Sequence, residues 1–412
     1  MDFAWTPALL ALGEEAAALG RAGAARRAHR EDGWLVGHDP AFARQLAERA
    51  WLGMTWPTEV GGGGQSALER FVVFEALIDE GAPLASCYFA DRQIGPTLLQ
   101  FGTTEQLARW LPGILAGTDV WCIGMSEPDA GSDVASLRTR AVPDADGGWR
   151  VTGTKVWTSG AAVADWCYLA ARTDPDARPH AGLSEFVVDM ASPGIEVSPI
   201  VDATGNRHFC EVRFTDVAVP ADHLVGQRNG SFGQVMRQME HERGGIDRLV
   251  SNRRLYLDCR PFADRSDPRV RQEVAAIETG YRIGRLLVLR EVLGQAPPQF
   301  SAATKTACTE HEQRVAAFCA RVLGPAAQAW DRPGPNSPAP MAPPVSTAEV
   351  SPLLARSSAP DPLSDASKSE PVDLAARVAR NLVYAPAYTL MGGTTQILRS
   401  IVAERVLGLP RP

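Results

Sequence analysis

The twenty residues from Cys122 to Ala141, CIGMSEPDAGSDVASLRTRA, constrain the fold most, because the hydrophobic period changes on either side of them. Before them, apolar residues recur at helical spacing, as in Ala43–Leu52 (ending at Gly53) and Leu68–Ile78. Thr103-Thr104-Glu105-Gln106 predicts an N-cap for a further helix to Leu111. After them come short strand-like runs, Trp149–Thr152, Trp166–Arg172, Glu185–Met190 and Cys210–Phe214, with turn signals at Asp144–Gly148 and Ser192–Gly194. From Phe232 the helical period returns, over Phe232–Leu257, Arg269–Leu293, Glu312–Leu323 and Val372–Leu407, the last interrupted at Pro386 and at Gly392-Gly393. This order excludes a fold of one structural class. It predicts an α+β chain: an N-terminal helical domain over 1–118, a central β-barrel-like domain over 119–228, and a C-terminal helical bundle over 229–412. The segment of about 331–370 holds nine prolines and predicts a loop or partly disordered insert.

Composition narrows the function. A net charge of −7 argues against a general nucleic-acid binder. No apolar run approaches membrane-spanning length, and the N-terminal stretch lacks the basic start of a signal peptide. The seven scattered cysteines include no C-x-x-C pair, which predicts reduced, buried thiols in a cytoplasmic protein and no metal site.

Chemistry concentrates in the segment Ser126-Glu127-Pro128-Asp129-Ala130-Gly131-Ser132-Asp133. Pro128 fixes one φ and Gly131 allows close backbone approach. Exposed amides beside small hydroxyls suit a polar, planar or anionic ligand, although a bare turn has the same composition. The Gly-rich stretch Trp56–Gly64 is either a ligand-facing loop or a plain connection. Three more motifs follow in order: Gly153–Gly160 (GTKVWTSG), His208–Pro220 (HFCEVRFTDVAVP), and Gly392–Arg399 (GGTTQILR) with Ala403–Gly408 (AERVLG). Together they resemble the acyl-CoA dehydrogenase family, in the family's order and over most of the chain.

The resemblance implies FAD as cofactor and α,β-dehydrogenation of an acyl thioester, for which a base, a hydride acceptor and donors to the thioester oxygen are needed. It places Met125, Ser126, Gly131 and Ser132 at the flavin loop, with Ser132 also near the pantetheine arm. Trp157, Thr158 and Ser159 would face the flavin ring, and Gly393, Thr394 and Gln396 would contact FAD at the C-terminal end. Many members carry Glu just before the C-terminal Gly-Thr, where this chain has Gly392. A subset of the family, bacterial members among it, places the Glu on the long helix after the β-domain, directly before an Arg. The match here is Glu242, within Met239-Glu240-His241-Glu242-Arg243. Glu242 is thus the candidate catalytic base, taking the α-proton while flavin N5 takes the β-hydride. Arg243 and Glu240 are candidate substrate contacts.

The Arg-x-x-Phe-Gly stretch through which many members reach a neighbouring subunit's FAD is matched only in part by Cys259–Arg265, so Arg260 is not assigned a role. The resemblance further implies a homodimer or homotetramer, an acyl-CoA substrate, and electron-transfer flavoprotein as electron acceptor. Four readings of the activity remain open at this point: an acyl-CoA dehydrogenase, the same chemistry on a carrier-protein-bound acyl group, a non-catalytic flavin-binding partner subunit of a heteromeric dehydrogenase, and a flavin oxygenase on the same fold.

Overall fold

The computed structural model describes residues 5–25, 30–328 and 371–410. The proline-rich insert of about 331–370 therefore lies outside the described residues. The N-terminal part is helical: α1 (Pro7–Ala25), α2 (Gly33–Val36), α3 (Pro40–Glu48), α4 (Ala67–Asp79), α5 (Gly95–Phe101) and α6 (Thr104–Leu115). Capping boxes start two of these helices. Ser66 with Glu69 begins α4, and Thr103 with Gln106 begins α6. A π-helical segment, Ala90–Ile94, precedes α5. Helix α3 ends earlier than its apolar spacing suggests, because Ala50 turns left-handed at φ 53° before Gly53 is reached.

The middle part is one sheet of β1 (Trp121–Gly124), β2 (Arg140–Pro143), β3 (Trp149–Ser159), β4 (Trp166–Arg172), β5 (Leu183–Asp189), β6 (Ile195–Ile200), β7 (Phe209–Val219) and β8 (Leu224–Val225). The strand order is β6-β7-β3-β2-β4-β5-β8, with β1 paired to β4. Its ends, β6 and β8, do not pair with each other, so the sheet is open and barrel-like only in its curl around a core of Val151, Leu169, Phe186, Val212 and Phe214. The short strands β2, β6 and β8 are the ones periodicity alone does not reveal.

The C-terminal part comprises α7 (Phe232–Arg243), α8 (Asp247–Val250), α9 (Arg253–Cys259), α10 (Pro268–Val292), α11 (Ser301–Leu323), α12 (Pro371–Tyr388) and α13 (Thr395–Ile401). Asp267 caps α10 and Pro268 occupies its first turn, one residue before the expected start at Arg269. Two expectations need correction. Phe232–Leu257 is not one helix: Gly244-Gly245 ends α7, and α8 and α9 follow as separate short helices. Pro386 does not interrupt α12, which continues through it to Tyr388; the chain then breaks before α13, at the two glycines. Helix α11 packs against α7, α8, α9, α10, α12 and α13, and so forms the spine of this region. All seven cysteines are buried and none forms a disulfide. Among the described residues, no helix is long and apolar enough to cross a membrane.

Candidate active site

A cavity of about 890 Å³ opens where the three parts meet. It brings together Met125, Ser126, Gly131 and Ser132 of the loop after β1, Trp157 and Ser159 of β3, Glu242 and Arg243 of α7, and Gly392 and Gly393 before α13. Four other sequence candidates do not line it. Thr158 points into the sheet core, 1% exposed, since alternate residues of a strand face opposite sides. Thr394 accepts a hydrogen bond from the Ile397 amide and caps α13. Gln396 is exposed on that helix, and Glu240 pairs with Arg237 at 2.9 Å.

The loop wall is pinned from beneath. The Glu127 and Ala130 backbones bond to each other across the turn at Pro128-Asp129. The Glu127 carboxylate accepts from the backbone amides of Arg138 (2.6 Å) and Thr139 (2.9 Å) and from Lys155 Nζ (2.8 Å). Lys155 is fully buried and also donates to the Met125 carbonyl. Burial works against ionisation of Glu127, but Lys155 and the amides outweigh it and hold its carboxyl below the ordinary range. The Val156 amide donates to the Ser126 carbonyl and ties the loop to β3.

Between Lys155 and Thr158 the pairing of β3 with β7 slips, and Trp157 adopts φ 61°. Such a bulge re-aims a side chain. The Trp157 indole is turned out of the sheet, 56% exposed, with the Phe209 ring edge-on at 5.7 Å. A flavin needs a flat apolar wall, hydroxyls near its edge and clearance for the backbone loop. Trp157 supplies the first, Ser126 and Ser159 the second, and a Cβ built on Gly131 would meet nothing within 4 Å. These residues fit FAD.

The opposite wall gathers residues far apart in the chain. A Cβ built on Gly392 would fall 2.5 Å from Glu242 Oε1, so the Glu242 carboxylate occupies the space a side chain at 392 would take. Gly392 and Gly393 have φ 69° and 96°, a backbone that glycine adopts without strain. Their carbonyls point inward: Arg243 Nε donates to the Gly392 oxygen at 3.0 Å, and Lys305 Nζ to the Gly393 oxygen at 2.8 Å. Arg248 Nη2 donates to Glu242 Oε1 at 3.0 Å. The Arg248 side chain is 2% exposed, with Trp34 and Tyr388 rings at 5.0 and 5.8 Å. Burial, with Arg248 and Arg243 nearby, draws the Lys305 ammonium down to about 7, and Glu242 only partly offsets this.

Sequence reasoning missed Glu127, Lys155, Arg248 and Lys305. The first two lie inside the quoted motifs, where their chemistry was visible but their burial was not. On an unbroken helix Arg248, six residues after Glu242, would face a different side. Only the break at Gly244-Gly245 turns it back. Lys305 carries no local signal at all.

Comparison with known proteins places the chain in a family. Residues 8–118 match the acyl-CoA dehydrogenase N-terminal domain, and residues 122–217 match the acyl-CoA dehydrogenase middle domain. The chain is 33% identical over 381 residues to acyl-CoA dehydrogenase IpdE1 of Mycobacterium tuberculosis, covering 90% of this chain and 88% of that protein. Among solved structures it resembles the Tcur3481-Tcur3483 steroid ACAD, with a TM-score of 0.81, 31% identity and 100% of both chains covered. It also resembles the ChsE4-ChsE5 complex from Mycobacterium tuberculosis, with a TM-score of 0.78, 28% identity and 100% of both chains covered. The chain therefore belongs to the acyl-CoA dehydrogenase family and is an FAD-dependent oxidoreductase of that kind.

Proposed function

We propose that the protein dehydrogenates an acyl-CoA thioester between its α and β carbons, with Glu242 as the base that takes the α-proton. The observation that carries this is the superposition of two alternatives in one place: the chain has no side chain at Gly392, and the Glu242 carboxylate fills that space from α7. Bound FAD supplies the acceptor for the β-hydride. Arg248 holds one carboxylate oxygen and limits the positions Glu242 can take. Arg243 and Lys305 hold the Gly392-Gly393 turn, which keeps the carboxylate's side of the cavity clear of other side chains. Met125, Ser126, Trp157, Ser159 and Gly393 hold the flavin, and Ser132, at the exposed rim of the loop, meets the pantetheine arm. Thr158, Thr394 and Gln396 act behind this wall, through the strand and the helix cap. The structural neighbour named a steroid ACAD supports an acyl group larger than a short straight chain. Electrons pass onward to an electron-transfer flavoprotein.

The test is an anaerobic titration of the purified holoprotein with a panel of acyl-CoAs, following the loss of oxidised flavin colour. Glu242→Gln should retain FAD and fail to bleach. Undiminished bleaching by that variant would remove the assignment.

A second reading has specific support. Both solved relatives above carry two-component names, Tcur3481-Tcur3483 and ChsE4-ChsE5. This favours a heteromeric assembly over the homodimer or homotetramer. Mass measurement of the native assembly, with and without a co-expressed second subunit, separates the two. Turnover by this chain's own Glu242 then distinguishes a catalytic from a supporting subunit. Failure with free acyl-CoA alongside success with a carrier-bound acyl group would assign the substrate to the carrier, and oxygen inserted in the product would assign an oxygenase.

A further inference from the structure

The same cavity carries two side-chain amides that the reaction does not use. Gln238 stands on α7 one turn before Glu242 and on the same face of the helix. It is completely buried, and neither its Oε1 nor its Nε2 has a hydrogen-bonding partner. Gln93, 3% exposed, lies on the π-helical segment Ala90–Ile94, which packs against α7, and it lines the same cavity. Neighbouring positions on these elements and on β1 that also line the cavity are apolar: Phe89, Ile123, Met236 and Met239.

A buried primary amide with nothing to bond is unfavourable, and a hydrocarbon acyl chain against it would leave it so. A carbonyl or hydroxyl oxygen on the acyl group would complete it, since an amide both donates and accepts. π-helical segments inside helical regions are common at functional sites, which fits the placement of Gln93. The helical spacing from Gln238 to Glu242 sets their Cβ atoms roughly 5–6 Å apart. An oxygen reached by the amide therefore sits a few bonds from the carbon that Glu242 deprotonates, and not at the far end of a long chain.

We propose that Gln238, assisted by Gln93, is a specificity subsite for an oxygen on the acyl group, so that the preferred substrates are oxo- or hydroxy-substituted acyl-CoAs. This rests on the reading of the cavity as an acyl-CoA site, and it goes beyond that reading by naming the substrate class. Catalysis itself needs no such contact, so the subsite acts through binding that discriminates among acyl groups.

The test uses holoprotein and matched acyl-CoA pairs: a straight-chain acyl-CoA and its mid-chain ketone, and cyclohexylpropanoyl-CoA and its ring ketone. Wild type should favour the ketone of at least one pair by tenfold or more in kcat/KM, the scale of one buried hydrogen bond. Gln238→Met should lower kcat/KM for that ketone and raise it for the hydrocarbon partner, narrowing the ratio about tenfold. Should that variant lose FAD, Gln93→Met serves as the second probe, with a smaller change in the same direction. Equal rates within every pair in wild type overturn the proposal. So does an equal fall for both members in Gln238→Met, which would mean that the amide serves the thioester or the flavin. Absence of flavin bleaching with every acyl-CoA tested would instead overturn the underlying site assignment.

Discussion

The two walls of the cavity are built on different principles. The loop wall, from Met125 to Ser132, rests on one balanced ion pair, Glu127 with Lys155, completed by two backbone amides. The helix wall sets Glu242 beside three basic side chains, Arg243, Arg248 and Lys305, of which Arg248 also pairs with the buried Asp247. The first arrangement satisfies every charge it buries and leaves nothing to react, as a scaffold should. The second leaves Lys305 destabilised and holds the Glu242 carboxylate by a single side-chain donor, which costs stability and suits the proton exchange proposed for it. A backbone that must present amides is best fixed, while a base must retain some freedom.

If that contrast holds, damage to the helix wall should fall on chemistry and damage to the loop wall on folding. The largest effect is expected from Glu242→Gln, with flavin reduction slowed by roughly 10²–10⁴ and the melting temperature nearly unchanged. Rapid-mixing absorbance and thermal melts on one sample check both halves. Lys155→Met should do the reverse. It strands the Glu127 carboxylate in a buried position at a cost of about 3–5 kcal/mol, so the protein should melt earlier and lose FAD before any rate can be assigned. Denaturant titration measures this, and a stable, slow Lys155→Met enzyme would break the contrast.

Gly392→Ala is a subtler probe. Its Cβ would displace Glu242 Oε1 from a backbone at φ 69°, and turnover should fall about tenfold to a hundredfold with FAD retained. Steady-state kinetics and flavin content together decide it.

The smallest effect is in the pH dependence of stability, where both walls should gain stability as pH rises, but over different ranges. Lys305 has its folded pKa drawn from the ordinary 10.5 to about 7, so the unfolded chain binds the extra proton between those values. Stability from this group therefore rises as pH increases from about 7, and Lys305→Met should flatten that rise. Glu127 has its folded pKa below the ordinary 4.5. Its contribution is present above that value and is lost as pH falls through the lower, folded one. Stability curves of wild type, Lys305→Met and Lys155→Met against pH test both slopes.

Much of the fold was legible because helix starts and turns are local chemistry. Asp267-Pro268, Thr103 with Gln106 and the Gly392-Gly393 break all act within a few residues of themselves. The long helix expected over Phe232–Leu257 failed for a related reason. Apolar spacing continues across Gly244-Gly245, and it does not record the cost of two adjacent glycines or the Asp247 oxygen and Arg92 side chain crowding Gly245. Trp157 was recognisable as part of a motif, yet its outward turn depends on a register slip between β3 and β7, which involves a strand some fifty residues away. The short strands β2, β6 and β8 were missed because each is defined by its neighbour in the sheet more than by its own alternation.

By itself the sequence determined the order of helical and sheet regions and the loop that carries Ser126 and Ser132, and it offered Glu242 as the candidate carboxylate in place of the one missing at Gly392. Tertiary structure alone decided that Glu242 reaches the space over Gly392, that Arg248 returns to it after a helix break, and that Lys305 arrives from α11. The reason is range. Dihedral preferences and spacing act over a few residues, whereas the electrostatics of a base depend on every charge within several ångströms, whatever its position along the chain.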